Sequence, residues 1–404
     1  MHFALSSKAG FRVAAGVVAH TLWTSAAPAM VYPLYAGRWH LTPSVTTGIF
    51  AVYPVTVVAV LVLFGNLSDQ VGRRLAMLYG VAASAAGVLL FALANNVVML
   101  LAGRALMGIG VGLSAGPSAA ALVDFAEDGA GVVKAGAATL ASQAAGLAAA
   151  LLVGGALVQY APAPMRLSFW LLFALLLMLL AGIFLLPRQA SNPGSVSGWR
   201  PALPRVPPGL RKPFGFAAFT VMTAYFHGVL IASLGSQVAR DLVRSDNALV
   251  NGAALALFAI TLGVVGLLAR RLRPDIAIAM GAVASLAGMA FLAFAVLAHS
   301  LTSFLAATVA SGMGYAWMVY GGLAMINAVA SQAVRGGMTS AVFLLAYLFT
   351  GLAALGLGHL ATIATLGLAI LTGAGLMAGL CVVVVVLTVL PRRMSPGRPN
   401  IPLS

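Results

Sequence analysis

Acidic and histidine side chains, the usual carriers of protons in proteins, are distributed unevenly along this chain. Its seven carboxylates all fall in polar stretches or at the edges of apolar ones: Asp69, Asp124, Glu127, Asp128, Asp241, Asp246 and Asp275. His20 and His227 instead lie within long apolar runs. Histidine has an ordinary pKa of about 6.5, so its charge can change near neutral pH. Each of these two histidines is therefore a candidate proton carrier or, alternatively, a hydrogen-bonded packing residue.

One positive charge also lies inside an apolar run. Arg104 begins the sequence RALMGIGVG after Gly103. A charge within a membrane helix is unfavourable and usually functional. Arg104 could therefore contact a substrate or a proton pathway, or its long side chain could extend to the polar end of its helix. Gly108, Gly112 and Gly116 recur at four-residue spacing, which predicts close packing against another helix.

Further polar and aromatic side chains in the apolar runs are candidates to line a cavity. Lone amides are unfavourable in lipid, so Gln143 and Asn327 would line a cavity or form hydrogen bonds between helices. The other candidates are Trp23, Tyr53, Tyr225, Tyr315, Trp317 and Tyr347. Tyr32 and Tyr35 lie near the end of an apolar run and suit anchors at the membrane surface, a depth that tyrosine favours.

The composition indicates that helices in a lipid membrane position these residues. Hydrophobic residues make up 62% of the 404-residue chain and charged residues 7%, against roughly 25% charged residues in a soluble domain. The net charge of +15 is spread over short segments between apolar runs, which argues against a nucleic-acid partner. A single cysteine, Cys381, excludes a disulfide framework and a cysteine-based metal site.

Twelve apolar runs are long enough for a membrane-spanning helix, which needs about 20 residues. They are 11–36, 44–65, 73–94, 97–122, 134–158, 167–187, 213–237, 247–269, 274–297, 301–328, 336–357 and 361–390. The first is too long for the core of a signal peptide, so we expect it to be retained. Prolines crowd the one long polar break, which predicts an N-terminal six-helix bundle (1–187), a cytoplasmic linker (188–212) and a C-terminal bundle (213–404).

The basic residues predict the orientation of the chain. Seventeen of the 22 Lys and Arg residues fall on the side of the two termini, and the opposite side holds Arg38, Arg166, Arg240 and Arg244. Because Lys and Arg accumulate in cytoplasmic loops, we expect both termini to be cytoplasmic and the protein to cross the inner, or plasma, membrane many times. A shift of 204 residues aligns Gly48 with Gly252, a weak sign of two related halves.

The most specific local pattern lies between the second and third predicted spans, where residues 65–74 read GNLSDQVGRR. Its glycines permit a tight turn, its aspartate can accept hydrogen bonds from amides at a helix start, and its arginines can pair with a carboxylate such as that of Asp124. The loop is either a plain polar turn or a latch between helices. The candidate gating residues are Gly65, Asp69, Gly72, Arg73, Arg74 and Asp124.

This loop resembles the signature of the major facilitator superfamily, G-x-L-(S/A)-D-x-x-G-R-(R/K), at every signature position. Helix number, linker, length and charge bias resemble that superfamily along the whole chain. The resemblance implies an all-α membrane protein of twelve transmembrane helices in two pseudo-symmetric six-helix bundles, with alternating access to a substrate between them. It also implies that the loop latches the cytoplasmic gate, and that Arg104, in a pattern R-x-x-x-G-x-G, handles substrate or protons.

The resemblance points to a transporter and not to an enzyme. The Arg104 pattern resembles the drug-exporter branch, so we expect export of a small organic molecule such as a drug, metabolite or siderophore, with protons as the candidate coupling ion. Residues 146–155, GLAAALLVGG, depart from the antiporter pattern G-x-x-x-G-P-x-x-G-G, because Ala150 and Leu151 replace Gly-Pro. This departure keeps open an uptake carrier or facilitator for a neutral or anionic metabolite or an iron chelate.

The sequence contains no pattern for a nucleotide, metal or covalent cofactor. A Walker loop does not occur, and neither does a His/Glu metal cluster or a nucleophile elbow. We therefore expect no cofactor and no metal, and as partners a small-molecule substrate, the lipid bilayer and protons. A membrane receptor or enzyme would need a soluble domain or a catalytic cluster, which the sequence lacks. The expected state is a monomer.

Overall fold

The computed structural model describes residues 6–64, 71–126, 131–187 and 206–389. Throughout these residues the chain is helical and forms no strand, which confirms the predicted all-α class. The helices are α1 (Ser7–Ala26), α2 (Tyr32–Trp39), α3 (Pro43–Phe64), α4 (Arg73–Ala92), α5 (Val97–Asp124), α6 (Gly131–Tyr160), α7 (Leu167–Phe184), α8 (Arg211–Gly228), α9 (Ala248–Ala269), α10 (Pro274–Ala298), α11 (Leu301–Val329), α12 (Gln332–Ile363) and α13 (Leu366–Val389).

Eleven helical segments of the described chain are long and apolar enough to cross a membrane. They correspond to the predicted spans from the second to the twelfth. One predicted boundary is wrong, because α12 continues to Ile363 where a break was expected after residue 357. Within this last turn the Thr362 hydroxyl donates a hydrogen bond of 2.9 Å to the Gly358 carbonyl and accepts one of 2.8 Å from the Ser44 amide, so this polar side chain is satisfied inside the helix.

The first predicted span is broken and not continuous. It consists of α1 and α2, which are joined by the turn residues 27–31. Pro28 explains the break, because proline has no backbone N–H and its ring clashes with the carbonyl four residues earlier. Pro33 then lies in the first turn of α2, where a proline is well tolerated. The prediction of one helix over 11–36 is therefore wrong.

The seventh predicted span is broken at the corresponding place in the second half of the chain. After α8 the backbone forms two π-helical turns, Val229–Ser233 and Val238–Leu242, separated by the short helix Gly235–Gln237. The two breaks touch each other, since the Ser236 hydroxyl donates a hydrogen bond of 2.7 Å to the carbonyl of Ala29. Interrupted helices at equivalent positions of two repeats are typical of transporter binding sites.

Each half of the chain contains one pair of helices packed backbone against backbone. In the N-terminal half, α4 and α5 approach so closely that Gly110 lies against the backbone of Gly80 and the hydroxyl of Ser84. The equivalent residues of α10 and α11 in the C-terminal half are Gly314, Gly281 and Ser285. Small residues at such contacts let membrane helices approach closely. Two halves with the same helix pair agree with the predicted pseudo-symmetry.

The glycine match predicted from a shift of 204 residues is not part of this repeat. Gly252 packs against the backbone of Leu151 and Gly155, whereas a side chain at Gly48 would meet no atom within 4 Å. The two glycines therefore have different environments. The predicted linker, 188–212, lies mostly outside the described residues, and α8 already begins within it, at Arg211.

The two halves meet along α3 and α12 and along α6 and α9. At one end of these pairs the contact is close: the backbones of Gly155 and Gly252 touch, and the Ser44 amide donates a hydrogen bond of 2.8 Å to Thr362 Oγ1. We call this end, which also holds the two helix breaks, the Ser44 end. The other end carries Arg73, Arg74 and Arg270, and we call it the basic end.

The helix pair in the N-terminal half predicts a local effect of a larger side chain. Gly110→Val would place methyl groups against the backbone of α4 and should lower the unfolding free energy by about 1–3 kcal/mol. Gly116→Val is the matched control on the same helix, because nothing lies within 4 Å of a side chain there. Thermal unfolding of the two purified variants, followed by tryptophan fluorescence, measures the difference. Equal unfolding temperatures for both would contradict the close packing.

Candidate functional site

Arg104 is fully buried, with an exposed fraction of 0%. Its helix, α5, starts at an Asn96 cap, so Arg104 lies about two helical turns from the start of α5. One guanidinium nitrogen donates a hydrogen bond of 2.9 Å to the Ser25 carbonyl, and another lies 3.4 Å from the Phe50 carbonyl. The guanidinium carbon is 4.6 Å from the centre of the Tyr53 ring. The alternative that this side chain extends to the membrane surface is therefore wrong, because Arg104 points into the protein.

The charge of Arg104 has no acidic partner among the described residues. Its Nε and the hydroxyl group of Tyr32 are buried without hydrogen-bond partners, and the Tyr53 hydroxyl lies beside the Ser25 side chain. Both tyrosines lie close enough to Arg104 to interact with its charge. A buried polar atom without a partner is unfavourable by about 1–3 kcal/mol. The arrangement can therefore bind a ligand that supplies acceptor oxygens or negative charge.

Tyr32 and Tyr35 are not membrane-surface anchors. Each has an exposed fraction of only 2%, because α2 turns back against the protein after the Pro28 break. The Tyr35 hydroxyl donates a hydrogen bond of 3.3 Å to the Met165 carbonyl. The anchor prediction failed because a hydropathy profile does not show that the first span is broken and that its last turns pack inward.

Aromatic side chains of the C-terminal half form a second part of the site. The Tyr225 ring centre lies 5.6 Å from that of Tyr315 and 5.3 Å from that of Tyr347. All three tyrosines are half-buried and belong to different helices, α8, α11 and α12. Tyr53 of the N-terminal half is close enough to Tyr225 and Tyr347 for their hydroxyl groups to interact electrostatically. Tyr53, whose ring faces Arg104, therefore lies on the side of the N-terminal half that faces this cluster.

His227 lies beside the aromatic cluster and is fully buried. Its ring centre is 6.2 Å from that of Phe258 and 6.5 Å from that of Tyr315. Its Nδ1 lies 2.9 Å from the Ala224 carbonyl, and its Nε2 has no hydrogen-bond partner. One ring nitrogen thus remains available to a proton or a ligand.

His20 has a different environment, although it holds a similar place in the sequence of the first half. Its Nδ1 contacts the Val17 carbonyl, and its Nε2 lies 3.3 Å from Ser84 Oγ. Both ring nitrogens are therefore engaged within the N-terminal half. Trp23, one turn further along α1, lies with His20 in a groove between α1 and α7. These contacts indicate a packing role for His20.

The remaining cavity candidates are less closely associated with Arg104 and the aromatic cluster. Gln143 on α6 and Trp317 on α11 are half-buried. Asn327 is exposed near the basic end of α11, twelve residues beyond Tyr315, which corresponds to about 18 Å along a helix. Two residues of the cluster that sequence reasoning missed are Phe258 and Phe343. Phenylalanine is frequent in apolar helices, so nothing in their sequence context distinguished them.

The structure describes only part of the signature loop, and Gly65 and Asp69 lie outside the described residues. Gly72 adopts a φ of 83°, a backbone conformation that favours glycine, and Arg73 forms an ion pair with Asp124. Arg74 instead donates a hydrogen bond of 3.1 Å to the Ile183 carbonyl at the end of α7, where a cation complements the helix dipole. Only one of the two arginines is therefore seen to pair with a carboxylate.

These features define a class of membrane protein: two related sets of helices that enclose a polar and aromatic site. The sequence model of the Major Facilitator Superfamily matches residues 13–342. The chain therefore belongs to the Major Facilitator Superfamily. None of the curated proteins compared with it matches.

Solved structures of transporters have the same fold. A mutant of the nucleoside transporter NupG aligns with a TM-score of 0.75 and 13% identity, over 95% of this chain and 99% of the other. A POT family transporter in complex with 5-aminolevulinic acid aligns with a TM-score of 0.72 and 13% identity, over 95% and 96% of the two chains. A mutant of the peptide transporter POT in complex with sulfate gives 0.72 and 15% identity, over 94% of each chain. At such identities the likeness establishes the fold alone.

The burial of Arg104 predicts that its charge serves binding more than stability. Replacing an unpaired buried charge with an apolar side chain of similar length removes a desolvation penalty. Arg104→Met should therefore unfold at a temperature no lower than that of the wild type, yet abolish transport. Purified protein gives the unfolding temperature, and the cellular assay described below gives transport. Arg166→Met, at an exposed position, is the control. A large fall in unfolding temperature for Arg104→Met alone would identify a structural role.

Proposed function

We propose that this chain is a secondary transporter that moves a small organic molecule across the inner membrane by alternating access. The observation that carries the proposal is that Tyr53, whose ring faces Arg104, lies within electrostatic range of Tyr225 and Tyr347 of the other half. A ligand between them would contact both halves at once. Relative movement of the halves would then change the side of the membrane to which the ligand is exposed.

The chemistry of the site favours neutral or anionic substrates that carry an aromatic or apolar group. Arg104 supplies an unpaired positive charge, and no described carboxylate lies beside it or the aromatic cluster. The tyrosine rings supply apolar faces, and their hydroxyls supply donors. A lipophilic cation would meet only the positive charge and gain no acidic partner.

Alternating access is supported by the contacts that join the halves at the Ser44 end. The helices α6 and α9 also touch nearer the basic end, where Gly263 lies against Ala144 and Gly136 against Arg270. The halves touch through backbone and hydroxyl groups at the Ser44 end, as described above. In our proposal both termini and the basic end are cytoplasmic, since Lys and Arg accumulate on that side. The Ser44 end is then the closed outer gate. The two bundles, 1–187 and 213–404, would act as the moving units of a monomer, joined by the linker.

We propose export as the direction of transport and His227 as the proton carrier. The pattern around Arg104 resembles that of drug exporters, and His227 keeps one ring nitrogen free beside the site. Uptake of a neutral or anionic metabolite is the second candidate. A specific observation favours it: α6 runs unbroken from Gly131 to Tyr160 through Ala150 and Leu151, where antiporters of this superfamily have Gly-Pro.

Accumulation of a chemically mixed panel of compounds tests the function and its direction. In cells without their main exporters, the wild-type chain should lower the accumulation of at least one neutral or anionic compound. A protonophore should abolish this effect, because export against a gradient needs the proton-motive force. Arg104→Met at matched expression should behave like empty vector.

Other outcomes of this assay have definite meanings. Increased accumulation with the wild-type chain would overturn export and establish uptake. Uptake that is insensitive to the protonophore would indicate a facilitator or another coupling ion. Transport that saturates best with a lipophilic cation would contradict the proposed substrate class, whatever its direction.

The two histidines give a separate prediction about coupling. His227→Gln should flatten the pH dependence of transport, because its unpartnered nitrogen can no longer take up a proton. His20→Gln is the matched control and should keep the wild-type pH profile, since both nitrogens of His20 are engaged in packing. Transport rates of both variants from about pH 4 to 8, a range that extends well below the ordinary pKa of histidine, make the comparison. An unchanged profile for His227→Gln would remove this residue from the proton pathway.

A further inference from the structure

A cluster of positive charges lies at the basic end of α1, away from the central site. Lys8 and Arg12 are one helical turn apart on α1, and Lys134 approaches them from α6. With Phe11 and Phe125 they line a cavity of about 230 Å³. The Lys134 ammonium lies 5.8 Å from the centre of the Phe11 ring. All three cations are exposed, so the cavity is open to a ligand.

These three charges are not neutralised within the described chain. Each described ion pair involves another arginine: Arg73, Arg240 or Arg273. Arg74, at the same end of the molecule, is bound to the carbonyls that end α7. The cavity at the start of α1 therefore concentrates positive charge that an anion from outside the protein can meet.

An apolar groove continues from this cavity along α1. It has a volume of about 380 Å³ and runs between α1 and α7. One wall is a stripe of α1 at helical spacing, which begins at Arg12 and ends at Trp23. The other wall is mainly leucine, with Leu172 and Leu179 toward its two ends. Arg12 lines both the groove and the basic cavity, so the two are continuous.

The dimensions fit an amphiphile whose charged part lies at the membrane surface. From Arg12 to Trp23 the stripe spans eleven residues, or about 16 Å along the helix, which is comparable to most of one lipid acyl chain. Met178, in the other wall, is 70% exposed, so the groove opens sideways toward lipid. Basic pockets at membrane helices on the cytoplasmic side bind anionic lipid headgroups. A free inorganic anion would use only the basic cavity.

We propose that this continuous site binds an anionic phospholipid. Its phosphate contacts Lys8, Arg12 and Lys134, and one acyl chain occupies the groove between α1 and α7. The same helix, α1, presents the Ser25 carbonyl to Arg104. The bound lipid therefore holds the helix that shapes the substrate site against its neighbour α7.

Native mass spectrometry of the full-length protein in mild detergent tests this site. Phosphatidylglycerol and phosphatidylcholine with identical acyl chains are offered at equal concentration. The wild type should retain phosphatidylglycerol in clear preference. Arg12→Gln should lower its affinity about fivefold, the effect of one cation near a membrane surface, and the combined Lys8→Gln, Arg12→Gln and Lys134→Gln variant should lose the preference. Equal retention of the two lipids by the wild type would overturn the proposal.

Matched variants separate this site from a general attraction to the basic end. Arg271→Gln removes an exposed arginine of the other half at the same end and should leave retention unchanged; a loss equal to that of Arg12→Gln would overturn the site. Gly16→Leu fills the groove and meets only the flexible end of Leu179, so it should weaken binding. Gly379→Leu, at an open position on α13, should not.

A soluble headgroup distinguishes a lipid from a free anion. Glycerol phosphate should compete poorly with phosphatidylglycerol, because it lacks the acyl chain that fills the groove. Competition by glycerol phosphate at the same concentration as the lipid would show that the groove is unused and would overturn the lipid assignment. Gel filtration of each variant confirms that loss of lipid does not result from loss of the fold.

Discussion

The buried charge of Arg104 is the constraint around which the centre of this molecule and its candidate site are arranged. A guanidinium that cannot reach water must find acceptors inside the protein, and here it finds them in the main chain of α1 and α3. The Ser25 carbonyl lies in the last turn of α1, next to the break. The interruption of the first span and the burial of the charge are therefore linked, because a helix end exposes carbonyls that a continuous helix would engage.

The C-terminal half contributes aromatic rings to the centre, where the N-terminal half contributes a positive charge. Where the N-terminal half provides Arg104, the C-terminal half provides Tyr225, Tyr315 and Tyr347 on three different helices. The shared packing of α4 on α5 and of α10 on α11 gives both halves a rigid frame. The halves differ in the form of their helix breaks and in the side chains that face the centre. A pseudo-symmetric scaffold thus presents an asymmetric site, with a charged side and an aromatic side.

Sequence reasoning predicted most of the helices because their signal is hydropathy, which depends on each residue and not on its neighbours in space. It failed at Pro28, where a run that is apolar throughout is nevertheless broken, and at Ile363, where the helix continues. It could not separate His20 from His227, since both are lone histidines in apolar runs and only their contacts differ. It left two roles open for Arg104, because the depth of a side chain depends on which way its helix face points. Phe258 and Phe343 had no signal that could have marked them.

The contacts that close the Ser44 end are mainly between neutral groups. Ser44 meets Thr362, Ser236 meets Ala29, and the Ala248 amide meets Gln159. The ion pairs of Arg73 with Asp124 at the basic end and of Arg240 with Asp241 at the Ser44 end each lie within one half and do not join the halves. Dissolved salt screens charged pairs at exposed sites over distances of about 10 Å at 0.1 M, but it has little effect on bonds between hydroxyls, amides and carbonyls. The contacts that join the halves at the Ser44 end are therefore largely insensitive to the ionic strength of the medium around them.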